Sequence, residues 1–317
     1  MNTEKTLVSI CCVTYNHEKF IRQCLDGFVM QKTNFKYEVL VHDDASTDAT
    51  AKIVEDYQNK YPQLFRCVYQ KENQFYKQNT LVDILFKMSK GKYIAMCEGD
   101  DYWIDPYKLQ KQVDVLEKNQ NISLVYSNAK IDSDEKGDYI NDPLFFSGDY
   151  PKDPIKKQAF FLNNNYAILT LSVMFRSEFF GVEDKIAMKK FATGDLPIYI
   201  ILSSKGDFYY INEEMVVYND HGGGISKTFN KIKRNLINYS NMYLLLPYIQ
   251  KENKKMFNYF QHRYLIQPAY EIMIILLRRG KLQDINFSQF FFVKLKHLKL
   301  KYIYYTLKMI YLKIKNS

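Results

Sequence analysis

Apolar and polar positions alternate between two kinds of segment along the first hundred residues. Short apolar runs rich in β-branched residues predict buried strands at 7–13, 37–42, 65–69 and 92–97. Between them, apolar residues recur at helical spacing and predict helices at 18–30, 47–59 and 80–89, the second capped by Ser46 or Thr47. Strands that alternate with helices favour parallel βαβ units, so the predicted class is α/β.

The pattern continues less regularly through the next hundred residues. It predicts helices at 107–118 and 195–204, and short strands at 123–127, 168–175, 208–211 and 215–218. The stretch 132–154 is rich in Asp, Gly and Pro and predicts a long surface loop. We therefore expect a mixed, mainly parallel sheet flanked by helices.

Charge divides the chain near residue 229. Residues 230–317 hold 17 of the 44 Lys and Arg residues but only 3 of the 35 Asp and Glu residues. This shift predicts a main domain at 1–229 and a basic helical C-terminal extension at 230–317. Apolar side chains in the extension recur at three- and four-residue steps, while Lys301, Lys308 and Lys315 recur every seven residues.

A helix with one apolar and one basic stripe can bind an anionic membrane surface, or it can pack on the main domain with its lysines in solvent. A nucleic-acid partner is not expected, because the chain has no base-contacting motif and its main domain is acidic.

No apolar run approaches the roughly 20 residues of a membrane-spanning helix. The five cysteines are odd in number and lack C-x-x-C spacing, which favours reduced thiols. The predicted location is cytoplasmic, peripheral on the inner face of the membrane if the extension binds it.

Two acidic clusters follow two of the predicted strands. His42-Asp43-Asp44-Ala45-Ser46 follows the second strand, and Glu98-Gly99-Asp100-Asp101 follows the fourth. The carboxyl ends of parallel strands share one edge of a sheet, where ligands of open α/β sheets bind. Carboxylate oxygens suit Mg²⁺ or Mn²⁺, so the pattern predicts a nucleotide diphosphate held through a metal. The alternatives are an ordinary turn before a helix and a solvated acidic turn.

An ordered set of motifs resembles family 2 glycosyltransferases. The matching segments are 8–17, 26–31, 37–48, 91–94, 97–103, 106, 108–109, 194–195 and 218–226. The set is far more specific than any one motif. The resemblance implies a GT-A fold, in which a nucleotide-sugar-binding α/β domain carries a metal-dependent, usually inverting transferase site.

The resemblance also implies the residues that bind the donor. Tyr15 lies against the nucleobase, between Thr14 and Asn16, and Asp44, preceded by Asp43, accepts a hydrogen bond from the base. Asp101 coordinates the metal, and Asp100 reaches the ribose or assists the metal. Glu98 takes the first position of the D-x-D-type motif, where its longer arm could ligate the metal through water. The roles implied here therefore fall on Thr14, Tyr15, Asn16, Asp43, Asp44, Glu98, Asp100 and Asp101.

Two further positions complete the implied site. Asp195 falls where the family carries its catalytic base, although a helix cap before Pro197 is the alternative. His221 opens a segment with three glycines that can approach the diphosphate or simply connect two parts of the chain. Trp103, the only tryptophan, is expected in the core. The Arg that many relatives carry near Lys77-Gln78-Asn79 is absent here.

These features favour a glycosyltransferase that moves a sugar from a nucleotide-sugar donor, with UDP as the expected nucleotide, to a hydroxyl of a glycan or lipid-linked saccharide. A sugar-nucleotide nucleotidyltransferase is a rival, but it would carry a Gly-rich phosphate loop after the first strand, and residues 14–17 do not form one. A non-catalytic nucleotide-sugar-binding scaffold is the other rival. Binding alone has no use for a base at Asp195.

Overall fold

A computed structural model describes residues 5–74, 81–133, 168–181, 183–184, 188 and 195–221. The predicted extension at 230–317, the segment Lys77-Gln78-Asn79 and most of the predicted loop at 132–154 lie outside the described residues. The division of the chain into two domains therefore stays a prediction.

Helices and strands alternate as the sequence pattern predicts. The helices are α1 (Ile21–Val29), α2 (Thr50–Lys60), α3 (Phe86–Met88, extended at its start by a π-helical turn at Leu81–Leu85), α4 (Lys108–Lys118) and α5 (Asp195–Ser203). The strands are β1 (Thr6–Thr14), β2 (Lys36–Asp43), β3 (Phe65–Tyr69), β4 (Tyr93–Glu98), β5 (Tyr102–Trp103), β6 (Ile122–Ser133), β7 (Met174–Arg176) and β8 (Asp207–Asp220). Short 3₁₀ turns lie at Thr170–Ser172 and Ser177–Phe179.

The described strands form one mixed sheet in the order β3-β2-β1-β4-β7-β6-β8-β5. The first four strands in this order are parallel, as βαβ connections require. Strand β7 then pairs antiparallel with β4 and β6, β8 pairs parallel with β6, and β5 pairs antiparallel with β8. The predicted mixed, mainly parallel α/β sheet is confirmed.

The register of the central strands brings the two acidic clusters together. Val13 of β1 pairs with His42 on one side and with Glu98 on the other. The last residue of β1, Thr14, pairs with Asp43. Both clusters therefore begin at the same edge of the sheet, as predicted, and β1 lies between them.

Apolar side chains cover both faces of the sheet. One cluster packs α1, α2 and α4 against the sheet, and the other packs α3 and α5 against the opposite face. Trp103 belongs to the first cluster, is 2% exposed, and meets Phe28 edge to face at a centroid distance of 4.8 Å. The expectation that Trp103 packs in the core is confirmed. The four buried cysteines and the half-buried Cys67 are free thiols.

Helix starts differ from the predicted ones. Helix α2 begins at Thr50, so the predicted cap at Ser46 or Thr47 is wrong. Asp48 accepts the Thr50 N–H at 2.9 Å, while the backbone N–H of Thr47 donates to Asn16 across the sheet edge. The tertiary contact to Asn16 outweighs the local capping preference.

The predicted strand at 168–175 is wrong in its first part. Residues Thr170–Ser172 form a 3₁₀ turn, and only Met174–Arg176 pair as a strand. Core side chains hold the turn, because Trp103 Nε1 donates to the Leu171 carbonyl at 2.9 Å and Gln112 Nε2 donates to the Ser172 carbonyl at 2.7 Å. The two short strands predicted between 208 and 218 are one long strand, β8, with register shifts relative to β6.

No helix among the described residues is both long enough and apolar enough to span a membrane.

A buried arginine closes the C-terminal end of α4. The guanidinium of Arg176 donates to the carbonyls of Leu116, Asn119 and Ile122, at 3.0 Å for Asn119 and 2.8 Å for Ile122. The Leu116 carbonyl lies in the last turn of α4, where helix acceptors lack intrahelical partners. The Asn119 carbonyl follows the helix and also accepts the Ile122 N–H at 3.1 Å, and Ile122 is the first residue of β6. The arginine therefore joins β7 to α4 through hydrogen bonds inside the core.

We expect Arg176→Met to lower the free energy of unfolding by about 3 kcal/mol, because it leaves buried carbonyls without donors. Urea denaturation followed by circular dichroism measures this change. Lys52→Met is the control, since Lys52 is an exposed residue that pairs with Glu55 and Asp56 and should leave the midpoint unchanged. Equal midpoints for Arg176→Met and the wild type would contradict the assigned role.

Candidate functional site

Two loops meet at the edge of the sheet where β1 and β2 end. Asn16 adopts the left-handed conformation at φ 55°, a region that Asn tolerates better than most residues. Its N–H donates to Ser46 Oγ at 2.9 Å, and its Oδ1 accepts the Thr47 N–H at 2.8 Å. These bonds fix the turn that presents Tyr15, whose side chain is 42% exposed. An aromatic ring is thus held open to solvent at this edge.

The two aspartates after β2 have different surroundings. Asp43 accepts both the N–H of Ser46, at 3.1 Å, and its hydroxyl, at 2.5 Å, so its carboxylate shapes the loop. Asp44 is tied by its backbone N–H to the Thr14 carbonyl at 2.9 Å. Its Oδ1 accepts the Gln74 N–H at 2.7 Å, which leaves Oδ2 as its acceptor for a ligand.

The carboxylates of the second acidic cluster have three different sets of partners. The Thr170 side chain favours the charged form of Glu98, and Asp195 lies within electrostatic reach of Glu98. Asp100 meets two histidines, with its Oδ2 at 3.1 Å from His221 Nε2 and 3.5 Å from His17 Nε2. Asp101 is 3% exposed, and its Oδ1 accepts the backbone N–H of Asn219 at 2.9 Å.

Repulsion among these acids adds to the effect of burial. Burial, followed by the charges of Asp100 and Asp195, raises the pKa of Glu98 to about 8. Burial, then Glu98 and Asp100, also raises the pKa of Asp101, although the Asn219 N–H favours its charged form. A divalent cation in this cleft would stabilise the charged carboxylates.

The general-base candidate Asp195 approaches Glu98 from another part of the fold. It is exposed in the first turn of α5, which packs on the face of the sheet toward which Val13 and its register partner Glu98 point. The charge of Asp195 contributes to the raised pKa values of both Glu98 and the buried Tyr199. Residues 98 and 195 therefore lie within electrostatic reach of each other on one face of the sheet, although 97 positions separate them in the chain.

Two imidazole rings lie beside the Asp100 carboxylate. The His221 ring stacks on Phe20 at a centroid distance of 4.7 Å. Burial lowers the pKa of His17, and the neighbouring Asp100 offsets this only partly, so His17 is neutral near pH 7. Neutral imidazole nitrogens and a carboxylate oxygen are ligands that Mn²⁺ and other divalent ions accept.

The described residues contain no cluster of three or more His, Cys, Asp or Glu side chains arranged to hold a metal ion by themselves. A substrate-completed site is still compatible with this geometry, since Mg²⁺ is commonly held by one or two carboxylates together with substrate phosphates. The 3.1 Å between Asp100 Oδ2 and His221 Nε2 is close to the spacing of two adjacent ligands on one octahedral ion.

Three residues of this site were not predicted from the sequence. His17 directly follows Asn16. This position next to other predicted site residues was the only sequence signal that could have predicted it. Thr170 lies 72 positions after Glu98, and Asn219 lies 118 positions after Asp101. Only the tertiary fold therefore brings them to the acidic turn. The Asp43 carboxylate contacts Ser46, and its predicted role in nucleotide binding stays a prediction.

Comparison with protein families settles the membership of the chain. The family model described as "Glycosyl transferase family 2" matches residues 9–180, more than half of the chain. The chain belongs to glycosyl transferase family 2. The match includes both acidic clusters and the Thr170 turn.

Relatives extend this likeness over much of the chain. An uncharacterized protein of Mycobacterium tuberculosis is 36% identical over 219 residues, which are 69% of this chain and 60% of that protein. A UDP-Glc:alpha-D-GlcNAc-diphosphoundecaprenol beta-1,3-glucosyltransferase of Escherichia coli is 34% identical over 125 residues, 39% of this chain and 46% of that protein. The chain thus matches about half the length of these relatives.

Solved structures share the fold at low sequence identity. TarS of S. aureus in complex with UDP-GlcNAc gives a TM-score of 0.60 at 16% identity, covering 95% of this chain and 80% of that one. A mannosyltransferase of Pyrobaculum calidifontis in complex with GDP-Man and Mn²⁺ gives 0.57 at 14% identity, covering 98% and 86%. The fold of the glycosyltransferase is therefore GT-A, as the sequence resemblance implied.

Two substitutions separate the backbone role of Asn16 from its side-chain role. We expect Asn16→Gly to lower the free energy of unfolding by about 1 kcal/mol, because it keeps the left-handed backbone but loses the bond to Thr47. Asn16→Ala should cost about 2 kcal/mol, since it adds backbone strain. Urea denaturation of both variants tests this order, and an Ala variant more stable than the Gly variant would contradict it.

Proposed function

We propose that this protein is a metal-assisted, inverting glycosyltransferase that moves a sugar from a UDP-linked donor to a hydroxyl of a glycan or lipid-linked saccharide. The observation that carries the proposal is that Tyr15, Asp44 and Asp100 follow β1, β2 and β4 at one edge of the sheet, while Asp195 lies within electrostatic reach of Glu98. These side chains offer an aromatic platform, an acceptor for a base, a candidate metal ligand and a candidate proton acceptor.

Donor binding rests on the loops after β1 and β2. Tyr15 stacks on the base, and Asp44 Oδ2 accepts a hydrogen bond from it. Thr14, Asn16 and Asp43 hold these two side chains in place through backbone and loop contacts. The E. coli glucosyltransferase is named for UDP-Glc, and the TarS complex contains UDP-GlcNAc. These names support UDP as the nucleotide of the donor.

The acidic turn is proposed to hold Mg²⁺ or Mn²⁺ beside the diphosphate. Asp101 and Glu98 are the proposed ligands of the ion, and Asp100, whose Oδ2 lies 3.1 Å from His221 Nε2, assists beside them. The bound ion would stabilise the charge that develops on the leaving nucleoside diphosphate as a Lewis acid. The Mn²⁺ in the related mannosyltransferase complex is consistent with this assignment.

Asp195 is proposed as the general base. The acceptor hydroxyl loses its proton to Asp195 while its oxygen forms the new bond to the anomeric carbon, and the bond from that carbon to the diphosphate oxygen breaks on the opposite face. This single displacement inverts the configuration. The exposure of Asp195 in the first turn of α5, beside Glu98, supports access to an incoming hydroxyl.

The acceptor is proposed from one relative alone. The E. coli glucosyltransferase is named for a saccharide linked to diphosphoundecaprenol, so a lipid-linked saccharide is one acceptor class for this protein. Binding of the basic extension to an anionic membrane would bring the enzyme to such an acceptor on the cytoplasmic side.

A donor screen separates the proposed reaction from its rivals. Purified protein with Mn²⁺ or Mg²⁺ and a saccharide acceptor should release UDP from a UDP-sugar. A nucleotidyltransferase would instead release pyrophosphate from UTP and a sugar phosphate. A non-catalytic scaffold would bind UDP-sugars and release neither product.

We expect Asp195→Asn to lower kcat by a factor of about 10² to 10⁴, because the amide cannot accept the proton. Its affinity for UDP, measured by isothermal titration calorimetry, should stay within about threefold, since Asp195 lies on the acceptor side. Asp114→Asn on the exposed face of α4 is the matched control and should leave both quantities unchanged. A fully active Asp195→Asn variant would remove Asp195 from the mechanism.

Charge reversal tests the proposed membrane contact of the extension. We expect the full chain to float with vesicles that contain anionic lipid, and Lys301→Glu, Lys308→Glu and Lys315→Glu together to abolish flotation. Vesicles of neutral lipid should bind neither form. Equal flotation of the triple variant and the wild type would remove these lysines from the membrane contact, and a wild type that does not float would favour a helix that packs on the main domain.

A further inference from the structure

The last residues of β8 contact the acidic turn at two adjacent residues. The backbone N–H of Asn219 donates to Asp101 Oδ1 at 2.9 Å. Its side-chain amide, Nδ2, donates to the backbone carbonyl of Asp100. One residue on a distant strand thus satisfies a carboxylate and a carbonyl of the same turn.

Other bonds hold the residues on either side of Asp100, since Cys97 Sγ donates to the carbonyls of Glu98, at 3.4 Å, and Asp101, at 3.8 Å. The Asp100 carbonyl itself has Asn219 Nδ2 as its donor. Asp101 N–H donates to the Glu98 carbonyl at 3.2 Å, and Gly99 N–H donates to the Val13 carbonyl at 2.9 Å. The Val13 bond ties the start of the turn to β1, and the Asn219 bonds tie its end to β8. The orientation of the Asp100 peptide therefore depends on Asn219 more than on local turn geometry.

This orientation matters because the Asp100 side chain points to the two histidines. With its carbonyl turned toward Asn219 Nδ2, its carboxylate meets His221 and His17 at 3.1 and 3.5 Å. His221 follows Asn219 by two positions, so both contacts come from the same end of β8. Rotation of the Asp100 peptide would separate the carboxylate from both imidazoles.

We propose that Asn219 is a positioning residue that sets the direction of the Asp100 carboxylate, and through it the site for a divalent cation beside the nucleoside diphosphate. The cation role rests on the proposed function, whereas the effect on Asp100 and the histidines does not. Asn219 touches neither substrate nor metal in this assignment. It acts by holding the turn whose acidic side chains contact them.

Asn219→Asp is the sharpest substitution, because it keeps the side-chain shape and replaces the amide donor by oxygen beside the Asp100 carbonyl. Asn219→Ser removes the donor without adding charge and serves as the second variant if the first does not fold. Both retain the backbone N–H that bonds Asp101 Oδ1. Asn212→Asp, on the same strand and away from the acidic turn, is the matched control.

Imidazole resonances report the orientation without any ligand. The chain has five histidines, so His17→Gln and His221→Gln suffice to assign the two signals in a ¹H–¹⁵N spectrum. We expect Asn219→Asp and Asn219→Ser to shift both signals and Asn212→Asp to shift neither. Signals for His17 and His221 that match the wild type in a folded Asn219 variant would overturn the proposal.

Metal titration separates positioning from a purely structural role. We expect the Mn²⁺ concentration that half-saturates UDP binding to rise at least tenfold in Asn219→Asp, while its melting temperature stays near that of Asn212→Asp. An unchanged Mn²⁺ requirement would overturn the cation part of the proposal. A wild type that binds UDP with no dependence on Mn²⁺ or Mg²⁺ would overturn that part and the proposed metal-assisted function together, and the histidine signals would still decide the role of Asn219.

Discussion

The parallel pairing of β1 with both β2 and β4 is the constraint on which the site depends. Residues 8–13 of β1 each have a fixed partner on β2 and on β4, so the carboxylates at the ends of β2 and β4 reach the edge of the sheet together. A register slip of one residue would turn these side chains to the opposite face. The buried apolar residues of both faces prevent such a slip, and the hydrophobic core thereby fixes the spacing of the acids.

Close packing of like charges is costly, and the fold limits the cost by giving each acid its own partners. Asp43 bonds Ser46, Asp101 accepts a backbone N–H from β8, the Thr170 side chain favours the charged form of Glu98, and Asp100 faces two imidazoles. Burial, together with the neighbouring carboxylates, raises the pKa of Glu98 and of Asp101. Buried carboxylates that would be stabilised by added positive charge are expected in a site that binds a cation together with an anionic substrate.

Sequence patterns predicted the parts of the fold that local periodicity determines. The strands that precede the two acidic clusters, the helices between them and the shared edge were all predictable, because buried strands and amphipathic helices repeat at short range. The Thr170–Ser172 turn and the pairing of Asn219 with the acidic turn were not, since their partners lie in other parts of the chain. The start of α2 was wrong for the same reason, because Asn16 engages Thr47 from outside the helix.

A buried acid at the opposite end of β2 shows why carboxylates with few hydrogen-bond donors indicate function. Glu38 near the start of β2 is also buried, yet it accepts bonds from the Ser9 hydroxyl at 2.7 Å, from Arg66 at 2.9 Å and from the Lys90 N–H at 2.8 Å. These bonds satisfy both of its oxygens and join β1, β2, β3 and the segment before β4. A buried carboxylate with this many partners stabilises the sheet and leaves no acceptor for a ligand. The carboxylates at the other edge are more numerous and have fewer donors among the described residues, which agrees with the proposal that a bound cation and substrate complete them.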